Sequence, residues 1–253
     1  MDFNVRALIQ QICPLFTNQY WFFTCYVLLI FIAPWLNHFI GNLEKQEYQK
    51  LLLLLFGIFS VIPSINIFGD TFGTQNGYSL LWFIVLYLFA GYIRRFGVPK
   101  KHYGIAYIVF CMINLLLTEA GQLFNVTVFN VLINLLTTLY NSFLVLGASI
   151  CLFLCAEQSS FDYGRFSKVI CKIARLSFGV YLLHENKFFR DVLWKQWAGL
   201  SEFTGNAGVF AVRLIAVVFL VFFAGIIIEW IRCVVVNIVC NLGKVFLSEK
   251  TRV

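Results

Sequence analysis

From Ala120 to Ala156 the chain carries no charged residue. A soluble domain of ordinary composition has roughly a quarter of its residues charged, so a run this long and apolar has no place on a surface facing water. Within a bilayer the backbone must satisfy its own polar groups, which leaves the helix as the natural form of such a segment. One crossing needs roughly 17–25 residues, fewer than this run supplies. The crossing is therefore expected at about Asn134–Ala156, with Leu123–Ile133 as an interfacial or re-entrant piece before it. The whole chain agrees: 60% hydrophobic, 12% charged, with mean hydropathy +0.83. The predicted fold class is all-α, a polytopic integral membrane helical bundle.

Further stretches have the length and character of a crossing: Tyr20–Ile40, Leu51–Phe68, Tyr78–Ile93, Tyr103–Thr118, Ala174–Phe188 and Val209–Ile231. Together they predict about seven transmembrane helices in a single domain over residues 1–253. Pro34 and Pro63 fall near the ends of the first two, where a proline kinks or stops a helix. Gly69–Gly77 reads as a surface turn. The loops 94–102 and 157–175 and the tail from Arg232 are rich in Lys and Arg.

The net charge of +7 comes from 19 Lys and Arg against 12 Asp and Glu. In a membrane chain that excess marks cytoplasmic loops. With seven crossings the basic loops and the tail fall on one side and residues 1–19 on the other. No nucleic-acid-binding motif competes with this reading, and nucleic acid is not an expected partner. The eight cysteines are scattered through apolar runs without zinc spacing, so no metal site is predicted. Met1–Phe16 contains Asp2 and Arg6 and lacks the basic start and apolar core of a signal peptide.

One stretch concentrates chemistry: SFGVYLLHENKFFRDVLW, Ser177–Trp194. On a helix, Ser177, Tyr181 and His184 share one face. That polar stripe must meet other protein or a wet cavity rather than lipid. A neutral His184 can orient or deprotonate a hydroxyl, with Ser177, Tyr181 and the adjacent Glu185 supporting it. The plainer reading is a buried histidine satisfied by its neighbours.

The stretches TNQYWFFTCYVLLIFIAPWLN (Thr17–Asn37), YSLLWFIVLYLFAGYIRRF (Tyr78–Phe96), YNSFLVLGASICLFL (Tyr140–Leu154) and SFGVYLLHEN (Ser177–Asn186) occur in an order and spacing that resembles membrane acyltransferase family 3. Its members O-acylate, usually O-acetylate, extracytoplasmic carbohydrates. The family's first span, with an Arg followed by a His implicated in catalysis, has no counterpart here. The only early basic residue is Arg6, and His38 lies in a stretch that matches a later part of the family. The chain thus looks like the C-terminal portion of such an enzyme, either a truncated frame or the partner of a separate N-terminal transmembrane part.

The resemblance implies transfer from acetyl-CoA or another acyl-CoA, a donor substrate rather than a bound cofactor, to a hydroxyl of a carbohydrate acceptor. His184 is the candidate catalytic residue. Ser177, Tyr181 and Glu185, with Asn18, Tyr20 and Trp21 at the outer membrane face, are candidates for acceptor binding. Arg94 and Arg95, aided by Lys100 and Lys101, are candidates for the donor phosphates. Plainer readings are an interfacial aromatic belt for Tyr20 and Trp21 and a topology signal with anionic-lipid contact for the arginines. The expected location is a cell membrane, the bacterial inner membrane, with membrane lipid as the standing partner. The alternative is a non-catalytic remnant or a glycolipid carrier, although the internal repeats of a carrier are not visible.

Overall fold

A computed structural model describes residues 17, 19–70, 72–124, 127–159, 164–186, 189–190, 192–197, 199 and 206–250. The described residues form helices and the turns between them, without strands. They group into two compact units, one within residues 13–160 and one within residues 161–253.

The first unit begins with α1, Trp21–Gly41, which passes through Pro34 without ending. The side chain of Asn42 donates to the His38 carbonyl (3.1 Å) and Arg95 donates to that of Ile40, so the last turn finds partners for its exposed carbonyls. α2, Lys45–Ile65, starts at a capping box between Glu44 and Glu47. It widens into a π-turn at Gly57–Val61 just ahead of Pro63. α3, Leu80–Phe96, is capped by Ser79 and closes at Gly97, whose φ of 65° suits a residue without Cβ. α4 is Tyr103–Phe124, α5 Thr127–Thr138 and α6 Phe143–Gln158.

Tyr48 is fully buried between α1, α2 and α3, packed with Ile40, Leu52 and Leu88, and its hydroxyl donates to the Leu88 carbonyl at 2.7 Å. Trp82, Val85 and Leu146 form a second buried cluster. Glycines let α4 and α6 lie close: a Cβ on Gly147 would stand 2.7 Å from the Phe110 ring, and one on Gly104 3.2 Å from the Cys155 sulfur.

The second unit pairs α7, Arg165–His184, with α8, Ala207–Lys250. Gly179 of α7 faces Glu229 of α8, and Gly225 of α8 faces Val180 of α7. Glu229, an acid in an apolar helix, is held by Arg232 through two bonds of 2.6 and 2.8 Å.

Among the described residues, five segments are long and apolar enough to cross a membrane: Trp21–Gly41, Lys45–Ile65, Tyr103–Gly121, Thr127–Gln158 and Gly208–Asn241. Of the remaining expected crossings, α3 has 17 residues, and α7 includes Arg165, Lys168, Lys172 and Arg175.

Several boundaries differ from those expected. The crossing placed at Asn134–Ala156 is interrupted at Leu139–Ser142, where polar side chains draw the backbone into a turn. The basic residues read as loop 157–175 are helical from Arg165, because Lys168, Lys172 and Arg175 fall at i, i+4 and i+7 on one face. That helix ends at His184, not Phe188, which lies outside the described residues together with Lys187. The tail expected from Arg232 is instead a continuation of α8, whose apolar run persists through Val239.

Candidate functional site

In the second unit, α7 presents the stripe read from sequence. His184 Nδ1 lies 2.8 Å from the Val180 carbonyl. A carbonyl only accepts, so this bond puts the proton on Nδ1 and, in the neutral ring, the lone pair on Nε2. Nε2 is 3.9 Å from Glu185 Oε1, and Arg190 Nη1 is 3.6 Å from Glu185 Oε2. Histidine and glutamate side chains are both 29% exposed. Tyr181 stands edge-on to the imidazole at 6.0 Å and Trp194 at 6.5 Å, so the ring is walled on two sides. Trp194 joins through the π-turn Val192–Trp197, an arrangement no periodicity announces. Ser177 donates to the Ala174 carbonyl (2.8 Å) and is exposed. The local arrangement is an imidazole with a directed lone pair, flanked by a carboxylate and aromatic walls.

The first unit builds a polar hub inside apolar surroundings. Ser60, Ser64, Thr74, Asn141 and Ser142 are all buried to 1% exposure or less. Pro63 brings no N–H to the carbonyl of Phe59, four residues back. Asn141 Nδ2 donates to that oxygen at 3.1 Å and also to Thr74 Oγ1 at 3.1 Å. Ser64 Oγ donates to the Ser60 carbonyl (2.6 Å) and accepts from the Phe143 N–H (3.1 Å). Among the described residues Ser60 Oγ and Asn141 Oδ1 have no hydrogen-bond partner. None of this hub was singled out from sequence. Its parts are spread over three segments, and only the unexpected turn at Leu139–Ser142 unites them.

The loop before α3 is fastened to the hub. Asp70 Oδ1 accepts from the Thr74 N–H (3.1 Å) and hydroxyl (3.0 Å), and Oδ2 accepts from the Gln75 N–H. Burial pushes the Asp70 carboxyl up, but the bonds from Gln75, Thr74 and Phe72 outweigh it and hold the group below its ordinary value. Gln75 and Asn76 take positive φ of 48° and 58°, and Gly77 follows at 94°. The Asn76 carbonyl accepts from the Tyr140 N–H at 3.1 Å.

Trp21 lies at this end of the unit. Its ring is 4.6 Å from Tyr78, which is 4.7 Å from Tyr140, both edge-on; Tyr140 and Phe83 each lie 6.1 Å from Trp21. Tyr20 is buried at 9% exposure. Asn18 lies outside the described residues. Tyr78 and Tyr140, which sequence reasoning did not select, come from a loop and a helix break, so only the fold brings them to Trp21.

Arg94 and Arg95 sit at the other end of α3, about 25 Å away along the helix. Arg94 is exposed. Arg95 bonds the Ile40 carbonyl and lies over the Phe96 ring at 4.9 Å. Near the start of α4, Lys100, Lys101 and His102 line a cleft of about 420 Å³ with Tyr103, Cys155 and Gln158.

No curated protein and no solved structure matches the chain. A family model described as an acyltransferase domain matches residues 4–231, nearly the entire length and both units. With apolar helices able to cross a bilayer repeatedly, the chain is a multi-pass membrane protein that belongs to the acyltransferase 3 family.

Proposed function

We propose that the protein moves an acyl group, in the first instance acetyl, from acyl-CoA to a hydroxyl of an extracytoplasmic carbohydrate. The observation that carries this reading is the match of the acyltransferase family model across residues 4–231. The arrangement within each unit is compatible with it. In the first unit a cationic end (Arg94, Arg95, Lys100, Lys101) suits the phosphates of a CoA donor, and the aromatic end around Trp21 suits a sugar. In the second, His184 holds a lone pair on Nε2, the atom that would take the proton of an attacking hydroxyl. The hydroxyl oxygen then bonds the thioester carbonyl carbon, the carbon–sulfur bond breaks, and the CoA thiolate leaves, collecting a proton. Ser177, Tyr181 and Glu185 would orient the imidazole; Tyr20 would flank the aromatic end, and Asn18, outside the described residues, is a further candidate for acceptor binding. The bacterial inner membrane, with its cytoplasmic acyl-CoA and external glycans, is the setting this requires.

The test is transfer of label from [14C]acetyl-CoA to cell-envelope glycan in membranes containing this chain. Transfer that falls by about a hundredfold or more in His184→Ala supports the reading, within the range general-base catalysis supplies. Absence of transfer, including after co-expression of the N-terminal spans of a related acyltransferase, would sink it in favour of a non-catalytic membrane protein.

A further inference from the structure

The aromatic end of the first unit has more architecture than an interfacial belt requires. A belt requires only that aromatic rings sit at headgroup level. Here three rings from separate segments converge: Trp21 opens α1, Tyr78 precedes α3, and Tyr140 sits in the break between α5 and α6. They pack edge to face at 4.6 and 4.7 Å, the arrangement that ring quadrupoles favour. Tyr78 and Tyr140 remain 40% and 49% exposed, so the group is both fixed and accessible.

The backbone beneath is held in costly conformations. Gln75 and Asn76 occupy the left-handed region in succession, where non-glycine residues are uncommon. Gly77 is required both by its φ of 94° and by space, since a Cβ there would lie 2.5 Å from Tyr140 Cβ. Asp70 clamps the loop, and the Tyr140 N–H is tied to Asn76. Two residues before Trp21, Gln19 keeps both amide atoms out of solvent, with no hydrogen-bond partner among the described residues. A buried, unsatisfied amide is expensive.

We propose that Trp21, Tyr78 and Tyr140 form the platform on which the carbohydrate acceptor stacks, and that the Asp70–Gly77 loop holds it in shape. A pyranose offers C–H groups on its faces and hydroxyls around its rim. Edge-packed Trp and Tyr rings bearing an indole N–H and phenol hydroxyls match both, whereas an acyl chain uses only the apolar part. This assignment rests on the acyl-transfer reading for its choice of ligand, but its test does not depend on turnover.

The full chain, purified into nanodiscs, is titrated with chitotriose, cellotriose and galactotriose while saturation-transfer NMR reports contact with the sugar C–H groups. The expected result is binding of at least one glycan, weakened about tenfold in Trp21→Ala and Tyr140→Ala and largely retained in Trp21→Tyr. Trp21→Tyr and Tyr140→Phe keep a ring in place and serve if the alanine variants do not fold. Equal affinity in the wild type and both alanine variants overturns the platform, as does failure of the wild type to bind any of the glycans. The expected binding pattern in a chain that transfers no acetyl group would uphold the platform and defeat the acyl-transfer reading. Transfer with unweakened binding in both alanine variants would do the reverse.

Discussion

Asn141 and Ser60 make a paired test of the buried hub. Both are fully buried, but Asn141 Nδ2 serves two acceptors while the Ser60 hydroxyl serves none among the described residues. Replacing Asn141 by Ala strands the Phe59 carbonyl, a loss of about 1–3 kcal/mol for a buried group left unpaired. Thr74 keeps Asp70 as its acceptor, so its loss is nearer ~1 kcal/mol. Removing the unpartnered Asn141 Oδ1 returns about 1 kcal/mol, leaving a net destabilisation of roughly 1–3 kcal/mol. Ser60→Ala deletes a hydroxyl that has no partner, and should be neutral or stabilising by up to about 1 kcal/mol. Far-UV circular dichroism during thermal unfolding in detergent micelles would report both. Asn141→Ala should lower the midpoint by several degrees, on the order of 2–4 °C per kcal/mol for a unit of this size, with Ser60→Ala at or above wild type. Equal losses in the two variants, or an Asn141→Ala midpoint within a degree of wild type, would refute the hydrogen-bond accounting.

Gly77→Ala should cost about 2–4 kcal/mol, combining a disfavoured φ with a Cβ 2.5 Å from Tyr140. Gly97→Ala has open space around it, but φ 65° with ψ 172° lies in a region nearly confined to glycine, and it should cost about 1–3 kcal/mol from the backbone alone; the same unfolding assay ranks them. Gly179→Val brings a branched side chain to a position where even a Cβ stands 2.3 Å from Glu229 Cδ. It should destabilise the α7–α8 pair by about 1–3 kcal/mol, with part of the loss recovered in Gly179→Val/Glu229→Ala. For Asp70 the folded value is depressed from 3.8, so the carboxylate stabilises the fold above that pH and the contribution disappears as pH falls through the folded value. The unfolding midpoint of the wild type should therefore exceed that of Asp70→Asn near neutral pH and converge with it below about pH 4.

The positions of the helices were legible because lipid allows little else: uncharged runs of bilayer length become helices whatever their order. The residues that interrupt them were harder to read. In an apolar run, Leu139–Ser142 differs from its surroundings by only an asparagine and a serine, and their effect depends on Thr74 and Phe59, distant in sequence. Pro34 and Pro63 read alike, yet α1 continues through the first, while α2 meets the second with a π-turn and a borrowed donor. The stripe Ser177–Tyr181–His184 was visible from periodicity alone, since it lies on one helix. The rings around Trp21 were only a third visible, because Tyr78 and Tyr140 reach it by tertiary structure. Charge misled once: Lys168, Lys172 and Arg175 suggested a loop by composition, although their spacing already described a helix face.

The donor that Phe59 borrows has a consequence for how the protein is made. Asn141 lies 82 residues after the carbonyl that it serves. At about 5–20 residues per second, some 4–16 s of synthesis separates the two. Throughout that interval α2 exists with its Pro63 gap unfilled by the side chain that later closes it. In the meantime that one oxygen is left to water, to the local π-turn or to a neighbouring segment. When the segment bearing Asn141 arrives, its amide takes over that oxygen.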